Sequence, residues 1–230
     1  MELWATFAGM SAQDVLLVAA TLPELKSCLS SAEDGYRPNA GPGIDTLVTG
    51  VGCTATAYHV GRILSTNRYR LAIHLGLAGS FDPALPPGTV AEVVSDGFGD
   101  LGADDHGRFL SVFDLHLADP DGFPFQAGLL CPAYAGKDAS WPCVSATTVQ
   151  TAHGEAEQIR RFAERQQVAL ESMEGAAFFY ACMLSGVPCR QFRAVSNWVE
   201  PRRRENWKIP EALDALGRFV AENRELIFRT

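Results

Sequence analysis

Four side chains combine the groups that acid–base chemistry on a polar ligand requires: two carboxylates, one guanidinium and one amide. Glu24 follows the first apolar run of the chain, whereas Glu174, Arg193 and Asn197 lie within one stretch near the carboxyl end. A carboxylate can take a proton from a bound water, and an asparagine amide can both donate and accept hydrogen bonds on a heterocycle. We therefore treat these four residues as candidates for one site, if the fold brings them together.

The stretch of residues 168–197 predicts how three of these side chains are positioned. Its pattern favours a short strand over 168–170, a helix over 173–185 that stops at Gly186, and a strand over 189–197. Glycine suits the left-handed residue that ends many helices. In open α/β sheets, ligands bind at the carboxyl ends of the strands. The start of the helix, with Glu174, and the end of the last strand, with Asn197, are thus predicted to meet at a ligand.

Similar β-branched runs recur along the chain and alternate with helical patterns. Strands are predicted from Asp14, Asp45, Arg70, Thr89 and Cys189, and helices over residues 22–31, 54–66, 153–167, 173–185 and 210–228. Apolar runs that are buried on both faces are typical of parallel strands, and their alternation with helices indicates an α/β fold. We expect a central, largely parallel sheet with helices on its faces.

Length and composition bound the possible functions. With 230 residues, 47% of them hydrophobic, the chain can bury one full core, so we expect a single domain over 14–230 after an N-terminal extension, 1–13. The net charge of -8 argues against nucleic acids and anionic membranes as partners. No apolar run is long enough to cross a bilayer, and the start lacks the basic residues of a signal peptide. A cytoplasmic protein with a small-molecule partner is therefore expected.

The spacing of cysteines and histidines argues against metal and disulfide chemistry. The six cysteines form no CxxC pair, and the five histidines form no HExxH pattern. The acids over residues 100–105 lack further ligands at fixed spacing, so a solvated loop is the expectation there. The surrounding region, 97–141, is rich in Gly, Asp and Pro and is predicted to be a long insertion that serves a site or an interface. We expect no metal and no cofactor.

Several short motifs, taken together, resemble the purine nucleoside phosphorylase and nucleosidase family. They are S-M-E-G-A-A at 172–177, R-A-V-S-N at 193–197, G-L-A-G at 76–79, the G-V-G turn at 50–52 and the early strand followed by Glu24. The run W-V-E-P-R-R-R-E-N-W-K-I-P at 198–210 is similar to the futalosine hydrolases within that family. The resemblance implies a three-layer, phosphorylase-like α/β fold with a central mixed, largely parallel sheet, and a homodimer.

The resemblance also implies a reaction, in which water cleaves the N-ribosidic bond of a purine nucleoside. Futalosine is the substrate that we expect first. Such cleavage builds positive charge on the sugar and negative charge on the leaving purine. Glu174 matches the family residue that binds the 2′- and 3′-hydroxyls, beside Met173 on the sugar face. Glu24 matches the general base that activates the water. Arg193 matches a family residue that helps to hold that water and the acid. Simpler roles stay open: first-turn helix acids for Glu24 and Glu174, and a structural ion pair for Arg193.

The purine end of the predicted site falls on the last strand. Adenine-cleaving relatives carry Asp where this chain has Asn197, whose NH2 can donate to O6 and whose oxygen can accept from N7–H, so hypoxanthine is favoured. Ser196 and Gly79 are further substrate-binding candidates, and Val149 corresponds to a position that flanks the purine. The reaction would give hypoxanthine and dehypoxanthine futalosine, for menaquinone biosynthesis. An Asn197 that only caps the strand end is the alternative.

Water rather than phosphate is the expected nucleophile, because Glu24 and His74 stand where hexameric phosphorylases carry phosphate-binding arginines. Leu77 departs from the methylthioadenosine nucleosidases, which have a small hydroxyl residue there, and this leaves the position of the water open. One of the arginines at 202–204 is a candidate partner for the benzoate of futalosine, against a solvated basic patch. Two other functions stay open: a methylthioadenosine or adenosylhomocysteine nucleosidase, and a non-catalytic nucleoside-binding protein.

Overall fold

The computed structural model describes residues 13–136 and 140–229. Its strands are β1 (Gln13–Ala19), β2 (Tyr36–Gly41), β3 (Ile44–Val48), β4 (Tyr69–Ser80), β5 (Val90–Phe98), β6 (Gly102–Asp105), β7 (Arg108–Ser111), β8 (Phe125–Gln126), β9 (Leu129–Leu130), β10 (Cys143–Thr148), β11 (Leu170–Ser172) and β12 (Cys189–Trp198). Its helices are α1 (Leu22–Cys28), α2 (Cys53–Thr66), α3 (Ala156–Gln166), α4 (Gly175–Leu184), α5 (Ile209–Glu222) and α6 (Arg224–Ile227). The predicted extension, 1–13, lies outside the described residues apart from Gln13, where β1 begins.

Ten of the strands in the described residues form one mixed sheet. Their order is β2-β3-β1-β4-β11-β10-β5-β9-β8, and β12 pairs with both β4 and β5. β1 is parallel to β3 and β4, β12 to β4, and β10 to β5 and β11, whereas β11–β4 and β12–β5 are antiparallel. Because β4, β12, β5, β10 and β11 pair in turn, they close a ring of strands. The prediction of a mixed, largely parallel central sheet is confirmed.

Helices cover both faces of this sheet. Side chains alternate across a strand, so Leu16 and Val18 of β1 pack in a cluster with residues of α2 and α4. Val15 and Leu17 point the other way, into a cluster with residues of α1 and α5. The result is the three-layer arrangement that the sequence predicts. Within the described ranges, no helix is both long enough and apolar enough to cross a membrane.

Several predicted boundaries are wrong, and tertiary contacts explain the differences. The helix predicted from 173 begins at Gly175, because Ser172 still pairs with β10 as the last residue of β11. The helix predicted over 153–167 begins at Ala156, where the Glu155 carboxylate accepts from two backbone N–H groups of the first turn. The helix predicted over 210–228 divides at Asn223 into α5 and α6. The edge strand β2 was not predicted at all.

The insertion at 97–141 contains two small hairpins where the sequence predicts irregular chain. β6 pairs with β7, and β8 pairs with β9, which joins the sheet through β5. The described part of the insertion exposes Leu117 and Phe123, each 74% accessible. It contributes no side chain to the cavity at the carboxyl ends of the strands. An interface therefore remains the prediction for this segment.

Candidate active site

The carboxyl ends of β1, β4 and β12 open into one cavity of about 650 Å³. Its walls are formed by residues directly after β1, by the last residues of β4, by residues around the end of β12 and by the turn between β11 and α4. This is the edge of the sheet at which the sequence predicts a ligand. Of the predicted site residues, six line the cavity: Glu24, Gly79, Met173, Glu174, Ser196 and Asn197.

Glu24 lies in the first turn of α1 and is 8% exposed. Its Oε2 accepts from the backbone N–H and the hydroxyl of Thr21 at 2.8 and 2.6 Å, which forms a capping box at the start of the helix. Its Oε1 accepts from the backbone N–H of Leu77 on β4 at 3.1 Å. Glu24 therefore has the helix-capping role that the sequence allowed and, in addition, a position in the cavity wall. Leu77 contributes its backbone there, so an apolar side chain is compatible with this contact.

Glu174 is the N-cap residue of α4, but its side chain does not cap that helix. Instead, Oε1 accepts from the N–H of Gly52, at the start of α2, at 2.9 Å. Oε2 lies 3.8 Å from Nη1 of Arg193. Burial raises the pKa of Glu174, the charge of Arg193 and the Gly52 N–H lower it, and the negative charge of Glu24 raises it. The negative charge of Glu24 therefore acts on the ionisation of Glu174.

Arg193 is fully buried next to these carboxylates and does not itself line the cavity. Its Nη2 contacts Nδ1 of His74 at 3.0 Å and donates to Oε1 of Gln191 at 2.8 Å. Its Nη1 has no hydrogen-bond partner among the described residues. A Cβ added at Gly76 would overlap this Nη1 and would lie 3.2 Å from Oε1 of Glu24. Glycine at position 76 therefore leaves the space in which the guanidinium approaches the acid.

His74 acts as a neutral acceptor for the guanidinium. Burial lowers the pKa of His74 well below its usual value, and the positive charge of Arg193 lowers it further. A neutral imidazole with its proton on Nε2 offers Nδ1 as an acceptor, whereas a protonated ring would have none. Arg193 is therefore oriented by two neutral groups on this side, and its charge is directed to the carboxylates.

Gln191 extends this network across the ring of strands. Its Nε2 donates to Oδ2 of Asp96 at 3.1 Å, and the Thr148 hydroxyl donates to Oδ1 of Asp96 at 2.9 Å. The Thr148 oxygen in turn accepts from the N–H of Ala176, in the first turn of α4, at 2.8 Å. Burial raises the pKa of Asp96 to about 6, although the bonds from Gln191 and Thr148 lower it. The network joins Arg193 to the start of α4.

Asn197 lies directly beside Gly79 on the neighbouring strand. Its Oδ1 accepts from the Ser196 hydroxyl, and its Nδ2 donates to the Trp198 carbonyl, both at 2.8 Å. A carboxamide has two N–H donors and two acceptor positions, so one of each stays available to a ligand. A Cβ added at Gly79 would lie 3.2 Å from Nδ2 of Asn197 and 2.8 Å from the Val199 side chain. Glycine at position 79 therefore allows the side chains of Asn197 and Val199 to pack closely against the backbone of β4 at this end of the cavity.

Val149 is the predicted binding residue that the structure does not bring to the cavity wall. It follows β10 and is fully buried, and its N–H donates to the Ser172 carbonyl at 2.9 Å. It therefore lies behind residues that do line the cavity, Ser172 among them. Met173 and Ser196 are in the wall itself.

An acid–histidine pair in the cavity wall was missed by the sequence reasoning. Glu171 is the middle residue of β11 and is 7% exposed, and its Oε2 lies 3.1 Å from Nδ1 of His153. The His153 ring packs on Phe162, with ring centroids 4.1 Å apart. Burial raises the pKa of Glu171, and the hydrogen bond with His153 lowers it. A charged residue in the middle of a short buried strand was the signal that could have found this pair.

Among the arginines at 202–204, Arg202 lines the cavity. Its guanidinium carbon lies 5.6 Å from the ring centroid of Trp207, which lines the cavity too. Its backbone N–H donates to the Gly154 carbonyl at 3.1 Å. Arg203 and Arg204 are exposed and do not belong to the wall. The mouth of the cavity thus carries a cation that a ligand can reach.

The part of the chain that the structure describes holds no group of three or more His, Cys, Asp and Glu side chains suited to a metal ion. In the acidic run at 100–105, Asp100 accepts from the Gln150 N–H at 2.6 Å, and Asp104 and Asp105 are exposed.

All six cysteines are free thiols. Burial raises the pKa of Cys53, next to the site, to about 12, which keeps this thiol protonated.

Comparison with known sequences gives the same family over almost the whole chain. Residues 9–229 match the Phosphorylase superfamily. A futalosine hydrolase of Streptomyces coelicolor is 36% identical over 182 residues, which cover 76% of this chain and 75% of that protein. A futalosine hydrolase of Thermus thermophilus is 30% identical over 188 residues, which cover 80% and 83% of the two chains.

Solved structures share the fold at lower identity. Futalosine hydrolase of Helicobacter pylori strain 26695 superposes with a TM-score of 0.72 at 13% identity, over 94% of this chain and 98% of that one. A 5′-methylthioadenosine/S-adenosylhomocysteine nucleosidase of Neisseria meningitidis superposes with a TM-score of 0.68 at 16% identity, over 89% and 96%. At these identities the likeness establishes the fold.

Replacement of Asp96 by Asn tests the buried network through the pH dependence of stability. Because the pKa of Asp96 is raised from 3.8 to about 6 by folding, the folded state binds more protons than the unfolded state between these values. The contribution of Asp96 to the free energy of unfolding therefore falls by roughly 3 kcal/mol as the pH rises from about 4 to about 6. The Asp96→Asn variant is expected to lack this decrease. Urea titrations across this range measure it, with the exposed Asp214→Asn as control. Equal pH slopes for wild type and Asp96→Asn would contradict the burial of an ionisable group there.

Proposed function

The chain belongs to the phosphorylase superfamily, and from that premise we propose that it cleaves the N-ribosidic bond of futalosine with water. The products are hypoxanthine and dehypoxanthine futalosine, in a step of menaquinone biosynthesis, and one domain over residues 14–230 carries the activity. The observation that supports this most is that Glu24, Glu174 and Asn197 line one cavity. The chain is also 36% identical to a futalosine hydrolase over three quarters of its length.

Glu174 is the proposed contact to the sugar. Its carboxylate accepts from the 2′- and 3′-hydroxyls, while Met173 packs against the sugar face. The Gly52 N–H and the Arg193 guanidinium hold the direction of this carboxylate before the substrate arrives. Positive charge develops on the ribose as the C–N bond breaks, and a preorganised carboxylate stabilises that charge.

Glu24 is the proposed general base. Thr21 and Leu77 hold both of its oxygens, and a carboxylate has about four acceptor positions, so it can still accept from a water. Arg193 Nη1, without a partner among the described residues and close to Glu24, donates to the same water in this proposal. The water oxygen attacks the anomeric carbon while its proton passes to Glu24. The bond that breaks is the one from the anomeric carbon to N9 of the purine.

Asn197 is the proposed contact to the leaving purine. Its free N–H donates to O6, and its oxygen accepts from N7–H after the purine has been protonated. An asparagine has no acidic proton, so the proton on N7 comes from solvent. The carboxamide therefore matches a 6-oxopurine at two neighbouring atoms, whereas the 6-amino group of adenine would face its N–H.

We further propose a cytoplasmic homodimer. Large apolar side chains are exposed at the cavity mouth (Val51, 58%), on α2 (Tyr58, 60%) and in the insertion (Phe123, 74%), as at many interfaces. Six free cysteines agree with a reducing compartment. A mass of 24.9 kDa in solution by light scattering, rather than twice that value, would contradict the dimer.

A methylthioadenosine or adenosylhomocysteine nucleosidase is the second candidate, because solved proteins of the same fold carry that activity in their names. Asn197 argues against it, since it lies where the resemblance implies Asp for adenine cleavage. A nucleoside-binding protein without turnover is the third candidate. Glu24 argues against this one, because binding alone does not require a buried acid beside the cavity.

Glu24→Gln tests the proposed base. Wild type is expected to release free hypoxanthine from futalosine in phosphate-free buffer, and the variant to lose about 10²- to 10⁴-fold in kcat because its amide cannot take a proton from water. Chromatography of the products measures both rates. Glu211→Gln is a matched control, because Glu211 also follows a proline in a first helical turn but is exposed. Turnover by Glu24→Gln at the wild-type rate, or a requirement for phosphate, would refute the mechanism.

Asn197→Asp tests the preference for hypoxanthine over adenine as the leaving purine. The carboxylate accepts where Asn197 donates, so kcat/KM for futalosine is expected to fall by at least about 10², while methylthioadenosine turnover rises. The ratio of the two substrates is the readout, since a general loss of folding would lower both. Faster cleavage of methylthioadenosine than of futalosine by the wild type would instead favour the second candidate.

Arg202→Gln tests the contact to the far arm of the substrate. An anionic benzoate on the 5′ side would pair with this guanidinium, so KM for futalosine is expected to rise about 10-fold or more, with inosine little affected. Arg203→Gln is the matched control, because the neighbouring arginine is outside the cavity wall. An equal effect of both substitutions would show that only the net charge of the surface matters.

A further inference from the structure

The wall of the cavity contains one more buried acid, Glu171, that the proposed mechanism does not use. It lies at the middle of β11 and is 7% exposed. It belongs to the same cavity as Asn197. A buried carboxylate next to a ligand site is costly unless it has a partner, so its partners indicate what it can bind.

The strand register sets the spacing between Glu171 and Asn197. Gly79 of β4 pairs with Glu171 of β11 on one side and with Asn197 of β12 on the other. Residues paired across neighbouring strands point to the same face of the sheet, and strands lie about 4.8 Å apart. The two polar side chains therefore rise from positions roughly 10 Å apart, with a residue that has no side chain between them. We call the part of the cavity between the Glu171 and Asn197 side chains the slot.

Glycine at position 79 lets the side chains of Asn197 and Val199 pack closely against the backbone of β4 at one end of the slot. A Cβ at that position would lie 3.2 Å from Nδ2 of Asn197 and 2.8 Å from Cγ2 of Val199. A flat heterocycle in the cavity between Glu171 and Asn197 would direct its edges to these two residues. Its two edges would then meet an amide on one side and a carboxylate on the other.

His153 fixes the direction of the Glu171 carboxylate. Its Nδ1 lies 3.1 Å from Oε2 of Glu171, and its ring is held by the face of Phe162 at 4.1 Å between centroids. When Nδ1 carries the proton, the imidazole donates to the carboxylate and keeps it a pure acceptor. A carboxylate accepts about four hydrogen bonds, so acceptor positions remain for a ligand.

This acceptor matches one tautomer of purine. A 6-oxopurine carries a proton on N1 beside its O6 acceptor, whereas adenine has a lone pair on N1 beside a 6-amino donor. Asn197 meets O6 with an N–H donor, and a carboxylate opposite meets N1–H with an acceptor. The same carboxylate would face the lone pair of adenine N1 without a proton between them, which leaves two buried acceptors unpaired.

We propose that Glu171, oriented by His153, accepts the N1–H of a 6-oxopurine in the slot and is a second specificity-determining residue beside Asn197. This inference rests on the proposed function for its substrate. It adds a contact to purine atom N1, whereas Asn197 contacts only O6 and N7. A Glu171–His153 pair that only supports the fold would leave base selectivity unchanged.

The kinetic test compares wild type with Glu171→Gln on futalosine and adenosine. The glutamine amide can donate to N1 of adenine and no longer offers a charged acceptor to N1–H. We expect kcat/KM for futalosine to fall about 10- to 100-fold and the futalosine-to-adenosine ratio to fall by more than that. Glu164→Gln, on the exposed face of α3, is the matched control. An equal loss on both substrates, or no loss on either, overturns the proposal.

A binding test decides the same point without turnover. Calorimetry with hypoxanthine and 1-methylhypoxanthine, which lacks N1–H, is carried out on wild type and on Glu171→Gln after their thermal midpoints have been compared. We expect wild type to prefer hypoxanthine about 10-fold or more, and the variant to lose most of this preference. Equal affinity for the two bases in the wild type, or no binding of either, overturns the role of Glu171.

The two tests separate this inference from the proposed function. If wild type does not hydrolyse futalosine but still prefers hypoxanthine through Glu171, the function fails and the N1 contact is supported. If wild type hydrolyses futalosine and Glu171→Gln keeps the substrate ratio and the base preference of the wild type, the function is supported and the N1 contact is overturned.

Discussion

A buried guanidinium between carboxylates and neutral acceptors is the interaction on which the cavity depends. Arg193 lies 3.8 Å from Glu174, and its other side is held by His74 and Gln191. Burial and the negative charge of Glu24 raise the pKa of Glu174, and the positive charge of Arg193 lowers it. Removal of one partner from such a group costs about 3–5 kcal/mol, because the remaining charge stays buried without compensation. The cation that lets the fold tolerate the two acids therefore also fixes where they lie.

The ring of strands explains how this cation is held so firmly. His74 comes from β4, Gln191 from β12 and Asp96 from β5, and Thr148 of β10 connects them to the start of α4. The same strands end at the cavity, so the acids, the amide and the slot are fixed by one rigid unit. Two glycines complete the site: Gly76 leaves room for the guanidinium of Arg193, and Gly79 leaves room for the side chains of Asn197 and Val199.

Local pattern predicted the main strands and helices, and the family resemblance implied six residues of the cavity wall. The resemblance implied Glu24, Glu174 and Asn197, and element order supports them, because each stands where a strand or helix meets the carboxyl edge of the sheet. The roles of His74, Gln191 and Asp96 could not be found, because they depend on which strands close the ring. Non-local pairing also explains the late start of α4, since Ser172 pairs with Thr148 of β10. It likewise hides Glu171, whose position opposite Asn197 appears only through their shared neighbour on β4.

The most direct measurement is a crystal structure of the protein with hypoxanthine and dehypoxanthine futalosine bound. We expect the base in the slot between Asn197 and Glu171, with Asn197 at O6 and N7 and Glu171 at N1. We expect the sugar hydroxyls on Glu174, and a water between Glu24 and the anomeric carbon. Density for the base outside the slot, or a sugar that contacts neither acid, would contradict the central claim that these side chains form one site.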